Sequence, residues 1–158
     1  MRVLGVDPGL GVTGFSILEL KRRKMFLLAY GTIRPKSKDV LSKRLNYLFE
    51  ELIKVIEQLS PEVLAIEDSF YSKNVKSAMT LGQARAALIL SASQCDLPIY
   101  EYAPKKVKMS VSGNGMASKE QISYMVSQIL KLKNTPKPYD ITDSIAVAIC
   151  FLNQQRFL

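Results

Sequence analysis

The sequence predicts an α/β fold: a five-stranded mixed sheet, an antiparallel three-strand meander plus two parallel strands, flanked by helices. Two observations predict it. Residues 2–33 read as three strands joined by short turns, the pattern of an antiparallel meander. Beyond them, apolar residues at helical spacing alternate with short, wholly apolar runs, giving helix, strand, helix, strand and then helices. No internal repeat, linker or low-complexity segment interrupts this order, so one domain is expected over residues 1–158.

The first strand is Arg2-Val3-Leu4-Gly5-Val6-Asp7, closed by the turn Pro8-Gly9. Residues 11–20 follow as a second strand. Gly9, Gly11 and Gly14 match the spacing G-x-G-x-x-G, but that dinucleotide motif must open a helix, and here a β-rich segment follows. These glycines are read instead as turn and hairpin residues that also allow a phosphate close to the backbone. Lys21-Arg22-Arg23-Lys24 is a basic hairpin tip leading into a third strand over residues 25–33.

In residues 40–59, Leu41, Leu45, Leu48, Leu52, Val55, Ile56 and Leu59 recur at helical spacing, and Ser60-Pro61 stops the helix. Val63-Leu64-Ala65-Ile66 suits a central strand covered on both faces, and it ends in Glu67-Asp68. Residues 74–94 form a second helix rich in small residues. Residues 98–102 are a short fifth strand. Pro104 opens a helix carrying Lys105, Lys106 and Lys108, and Ser112-Gly113-Asn114-Gly115 is a loop. Ser118 and Gln121 have capping-box spacing, opening a helix to about residue 132. The last helix starts near Tyr139 and runs to the C-terminus, with Ile141, Ile145, Ala148, Ile149 and Leu152 on the face expected to pack on the sheet.

Composition narrows the chemistry. Lys and Arg number 22 against 14 Asp and Glu, a net charge of +8, which favours a polyanionic partner such as nucleic acid. There is no histidine, which excludes Ser-His and Cys-His catalysis and His-ligated zinc. Cys95 and Cys150 lie in apolar helical contexts and read as core thiols in a reducing cytoplasm. No stretch is apolar enough to span a membrane, and no signal peptide is expected. A metal site here would use oxygen ligands and a hard cation, Mg²⁺ or Mn²⁺.

Four acids supply such a site. Asp7 and Glu67 both end buried strands. If those strands are parallel neighbours, both carboxylates leave the same sheet edge, where open α/β sheets bind ligands. Asp140 and Asp143 are three apart on a helix and share a face. Like charges gathered there raise one another's pKa, and a divalent cation relieves that. Two metals together activate a water and stabilise a leaving oxygen in phosphodiester cleavage. Structural alternatives exist: Asp140 and Asp143 suit a helix N-terminus, and Asp7 suits an Asx turn before Pro8. Glu67 is chosen over Asp68 because Val63 and Ala65 share its side of the strand.

The chain also resembles the RuvC family of bacterial Holliday-junction resolvases, which have a ribonuclease-H-like fold. The likeness covers nearly the whole chain. It rests on Gly5-Val6-Asp7-Pro8-Gly9 with Thr13-Gly14, on Ala65-Ile66-Glu67, on Lys73 to Ala78 and on Leu81-Gly82-Gln83-Ala84-Arg85. It continues through Tyr102-Ala103-Pro104, Gly113-Asn114-Gly115, Ala117 to Gln121, and Asp140 to Ile149. The resemblance implies that Asp7, Glu67, Asp140 and Asp143 are both metal-binding and catalytic. It implies Mg²⁺, with Mn²⁺ substituting, two ions per subunit. It implies a homodimer that nicks two strands of like polarity across a four-way DNA junction in recombination and repair, with the RuvA–RuvB branch-migration complex as partner. Where the family usually has Asp-Ala-Ala-Asp, this chain has Asp140-Ile141-Thr142-Asp143, with both acids kept and bulkier residues between.

Other positions are read beside that. Phe70 and Tyr71 follow Glu67, and base stacking at an opened junction is expected of them, worth about 1–3 kcal/mol per base. Lys105, Lys106, Lys108 and Lys119 are expected on phosphate, with Lys119 best placed at a helix N-terminus. Small residues of the 74–94 helix suit close packing on the sheet or on a partner copy. The competing functions are an actin-like ATPase half, which needs a second lobe, a junction-binding module without catalysis, and a ribonuclease H cutting RNA–DNA hybrids.

Overall fold

A computed structural model describes residues 1–68 and 74–155. Phe70, Tyr71 and Lys73 therefore lie outside the described residues. The strands are β1 (Arg2–Asp7), β2 (Thr13–Lys21), β3 (Lys24–Ile33), β4 (Val63–Glu67) and β5 (Ile99–Tyr102). The helices are α1 (Leu41–Leu59), α2 (Val75–Gln94), α3 (Pro104–Ser112), α4 (Lys119–Leu130) and α5 (Tyr139–Gln155).

The sheet order is β3-β2-β1-β4-β5. β1, β2 and β3 form the antiparallel meander, and β4 and β5 extend it as parallel strands on the other side of β1. The hairpin tip turns through Arg22 and Arg23, both left-handed at φ 50 and 62, the I′ geometry whose twist matches that of the strands. β2 begins two residues later than expected. Residues 9–13 are occupied instead by a turn in which the Thr13 hydroxyl donates to the Gly9 carbonyl at 2.7 Å and accepts from the Gly9 N–H at 3.2 Å.

Strand alternation divides the core between two faces. Leu4, Val6, Ile17, Leu64 and Ile66 meet α1 and α2, which contribute Leu48, Leu52, Ile56, Ala84, Leu88 and Ala92. Val3, Leu18, Val63, Ala65 and Tyr102 meet α3, α4 and α5. Burying each large aliphatic side chain contributes about 1.5–3 kcal/mol.

Two helices differ from the sequence reading. α4 stops at Leu130, because Lys131 turns left-handed at φ 53 and the Leu132 N–H bonds back to the Ser127 carbonyl. The sequence pattern predicts one buried face for α5. It is instead buried all round: Ile141, Thr142 and Ser144 to Leu152 are enclosed, because the sheet covers one side and α3 and α4 cover the other. The bulk at Ile141 and Thr142 is absorbed there, with the Thr142 hydroxyl donating to the Tyr139 carbonyl at 3.0 Å.

α5 lies so close to the sheet that two strand residues must lack a side chain. A Cβ on Gly14 would stand 1.9 Å from the Asp140 carbonyl oxygen, and one on Gly5 would stand 2.1 Å from that of Ser144. Gly14 is thus a packing residue inside β2, not a turn residue. α2 carries small residues on two faces. Ala84, Ala87, Ser91 and Ala92 are buried, whereas Val75, Met79, Gly82, Ala86 and Leu90 form an exposed stripe at helical spacing.

Candidate active site

β1 and β4 pair in parallel with Gly5 opposite Ala65 and Val6 opposite Ile66. One residue on, Asp7 and Glu67 end neighbouring strands at the same edge. Both project to the α5 face, because Val3 and Val63, even-numbered steps before them, pack there. Glu67 thus lies on the same side of the sheet as Asp7, whereas Asp68 lies on the other and pairs with Arg85 of α2 at 3.3 Å.

A cavity of about 210 Å³ opens at this edge. Asp7, Glu67 and Asp143 line it with Lys108, Lys119, Pro104, Val107, Ile122 and Ala146. Asp140, one turn before Asp143, stands at its flank, where its charge still reaches Asp7 and Asp143. Each acid is placed by its element. Asp7 is carried to the edge by β1 and held by the Thr13-locked turn. Glu67 is the last residue of β4. Asp143 is set by the close seat of α5 over Gly5 and Gly14.

Electrostatics mark the site. Burial pushes the Asp7 carboxyl well above the usual carboxylate range, and repulsion from Glu67, Asp143 and Asp140 adds to it, while Lys119 pulls the other way. Burial also raises Asp143, against the attraction of Lys119. Lys119 sits at the first position of α4 behind the Ser118–Gln121 capping box. Its ammonium is 3.5 Å from Asp143 Oδ2. Burial opposes its charge, but Asp143 and Asp7 more than compensate and hold its pKa above the ordinary lysine value.

The basic residues divide into two groups. Lys108 and Lys119 line the acidic cavity. Lys105 and Lys106 line a separate groove with Met109 and Asn153, and the Lys106 ammonium lies 5.3 Å from the centre of the Tyr102 ring. Two site-shaping residues escaped the sequence reading. Arg44 of α1 donates to the Leu10 carbonyl at 3.3 Å, bracing the turn after Asp7. Arg85 of α2 donates to the Glu67 carbonyl at 3.3 Å from behind the sheet. Neither has a signal in spacing alone, since both act on backbone carbonyls far away in sequence.

Among the described residues, no three acids are gathered tightly enough to enclose an ion as they stand. Their chemistry nevertheless fits a hard cation. Every donor is a carboxylate oxygen, and the half-buried Asp7 carboxyl is destabilised in its charged form by partial burial and by its acidic neighbours.

The strand order, with a meander extended by parallel strands and helices on both faces, defines a ribonuclease-H-like fold. The profile of the family described as crossover junction endodeoxyribonuclease RuvC matches residues 3–151. The Finegoldia magna crossover junction endodeoxyribonuclease RuvC is 43% identical over 157 residues, covering 99% of this chain and 96% of that protein. Its counterpart from Caldicellulosiruptor saccharolyticus is 46% identical over 153 residues, covering 96% and 92%. The solved structure of Thermus thermophilus RuvC in complex with Holliday junction substrate is similar at a TM-score of 0.92 and 29% identity, covering 99% of this chain and 96% of that one. The chain belongs to the RuvC family.

Proposed function

We propose that this chain is a structure-specific endodeoxyribonuclease, a single nuclease domain over residues 1–158. It resolves Holliday junctions in recombination and repair by metal-dependent, symmetric nicking of two strands of like polarity. The observation that carries the reading is the half-buried Asp7 carboxyl facing one cavity with Glu67 and Asp143, with Asp140 close by and Lys119 beside it, in a member of this family.

Asp7, Glu67, Asp140 and Asp143 would hold Mg²⁺, or Mn²⁺ in its place, two ions per subunit. When bound, these ions supply the positive charge that activates a water and offsets charge on the phosphate and leaving oxygen. The protein's own contribution is placement. β1 and β4 present two carboxylates side by side, and α5 brings two more over them. Asp7, half-buried and repelled by the neighbouring acids, is favoured in its charged form by a cation beside it. Lys119 and Lys108 border the same cavity, and there they orient the scissile phosphate and neutralise part of its charge. Lys105 and Lys106 reach phosphates farther along a DNA arm, and Phe70 and Tyr71 stack on bases at the junction centre.

Paired nicks need two sites held at a fixed spacing. The exposed stripe Val75, Met79, Gly82, Ala86 and Leu90 on α2 supports a homodimer, since small residues along it permit close approach of a second copy. No helix among the described residues is long and apolar enough to cross a membrane, and the free thiols of Cys95 and Cys150 suit a reducing cytoplasm. Family membership supports the RuvA–RuvB branch-migration complex as a further partner.

The test is cleavage of a synthetic four-way junction in Mg²⁺ by wild type and Asp7→Asn. Paired symmetric nicks by the wild type, with binding but no nicks by the variant, are expected. Cleavage of an RNA–DNA hybrid with junctions left intact would replace this reading with a ribonuclease H.

A further inference from the structure

Arg85 lies on the face of the sheet away from the acids, yet its guanidinium reaches the strand end that carries one of them. Its Nε donates to the Glu67 carbonyl at 3.3 Å. Its Nη2 pairs with Asp68 Oδ1 at 3.3 Å and with the Glu101 carboxylate. These partners sit on two adjacent strands, since Ile66 of β4 is opposite Glu101 of β5. The Asp68 N–H also bonds the Tyr102 carbonyl at 2.8 Å, so the β4–β5 ladder runs one residue past the end of β4. The Arg85 and Asp68 side chains are only 17% and 22% exposed, so that pair is weakly screened by water, whereas Glu101 stands at the solvent edge.

This geometry constrains one atom set above all. Glu67 is the last residue of β4, and a strand end normally frays. Here its carbonyl and the next residue's carboxylate are tied from behind to a rigid helix, while its own side chain points through to the other face. We propose that Arg85 is a positioning residue for Glu67. It clamps the β4 terminus to α2 and β5 and so sets where the Glu67 carboxylate stands in the acidic cavity. The planar guanidinium keeps Nε on the carbonyl while Nη2 faces both carboxylates as an ion-pair partner. A lysine ammonium on a flexible stem offers no such fixed geometry. The inference rests on the proposed metal-dependent function, because it assigns Glu67 a task that position affects.

The experiment compares wild type, Arg85→Lys and Arg85→Gln. Mn²⁺ binding without DNA is measured by calorimetry, together with junction affinity in a metal-free buffer, the Mg²⁺ dependence of nicking, and thermal melting. The expected result is Mn²⁺ affinity weakened about 10-fold or more in Arg85→Gln, in the range found when residues supporting metal ligands are lost. Half-saturating Mg²⁺ for nicking should rise in parallel, with junction affinity within about twofold of wild type. Arg85→Lys should fall between the two. Should Arg85→Gln fail to melt cooperatively, Arg85→Lys carries the comparison. Unchanged Mn²⁺ affinity in a folded variant, whatever its melting temperature, would overturn the proposal and leave Arg85 a purely structural ion-pair partner. Wild-type protein that binds Mn²⁺ yet nicks no junction would instead defeat the functional reading, and the Mn²⁺ affinities would still report on Arg85.

Discussion

At the scale of single residues, Asp7 concentrates the cost and the use of the site. Its carboxyl is raised by burial and by neighbouring acids. An acid whose folded pKa is raised adds stability below its unfolded pKa and loses that contribution as pH rises through the folded value. The ionised cluster therefore destabilises the fold at neutral pH. Asp7→Asn should raise the melting temperature at pH 7 by about 2–4 °C if roughly 1 kcal/mol of repulsion is relieved, and the gain should shrink as pH is lowered toward 4. Mg²⁺ should raise the melting temperature of the wild type but not of this variant, while nicking by the variant falls by about 100-fold or more. A melting temperature lowered at pH 7 would contradict the raised carboxyl. Lys119 makes the complementary case. Its side chain is 64% exposed, so its pair with Asp143 contributes at most about 1 kcal/mol. Lys119→Ala should melt close to wild type, yet flatten the salt dependence of junction affinity by about one unit. An unchanged slope would remove Lys119 from the phosphate contacts.

At the scale of elements, the seat of α5 on β1 and β2 decides where Asp140 and Asp143 stand. Gly14→Ala pushes its new Cβ into the Asp140 carbonyl, at the very turn that carries the acids. Gly5→Ala does the same one turn on, at Ser144. Each should cost about 1–3 kcal/mol in urea denaturation, the range for overpacking a filled core. Gly14→Ala should also reduce nicking more than its stability loss explains, because the helix start is what moves. Equal activity per folded molecule in the two variants would mean that α5 tolerates the shift without disturbing its acids.

At the scale of the whole molecule, net charge and the exposed face of α2 carry the predictions. A net charge of +8 predicts steeply salt-dependent junction binding. The exposed α2 stripe predicts a dimer at micromolar concentration. Leu90→Glu, at a residue that is 59% exposed, should leave the fold intact and shift sedimentation toward monomer. Paired nicks should then give way to single, uncoordinated ones. A variant that stays dimeric would place the interface elsewhere.

The amino-acid sequence by itself determined the element order, the meander and the parallel extension, and it singled out four acids as candidates. These are local matters: alternation, helical spacing, capping chemistry and a carboxylate following an apolar strand. It also supported Glu67 over Asp68, because strand parity is set by the chain alone. Tertiary structure decided what depends on distant partners. It buried α5 on every side, although the apolar pattern predicts a single buried face, because α3 and α4 close over it. It made Gly14 a packing residue, because a helix more than a hundred residues later lies against it. It separated Lys108 and Lys119 from Lys105 and Lys106, which spacing alone grouped together. It also placed Arg85 behind Glu67, a contact between a helix side chain and a strand carbonyl that no local pattern encodes.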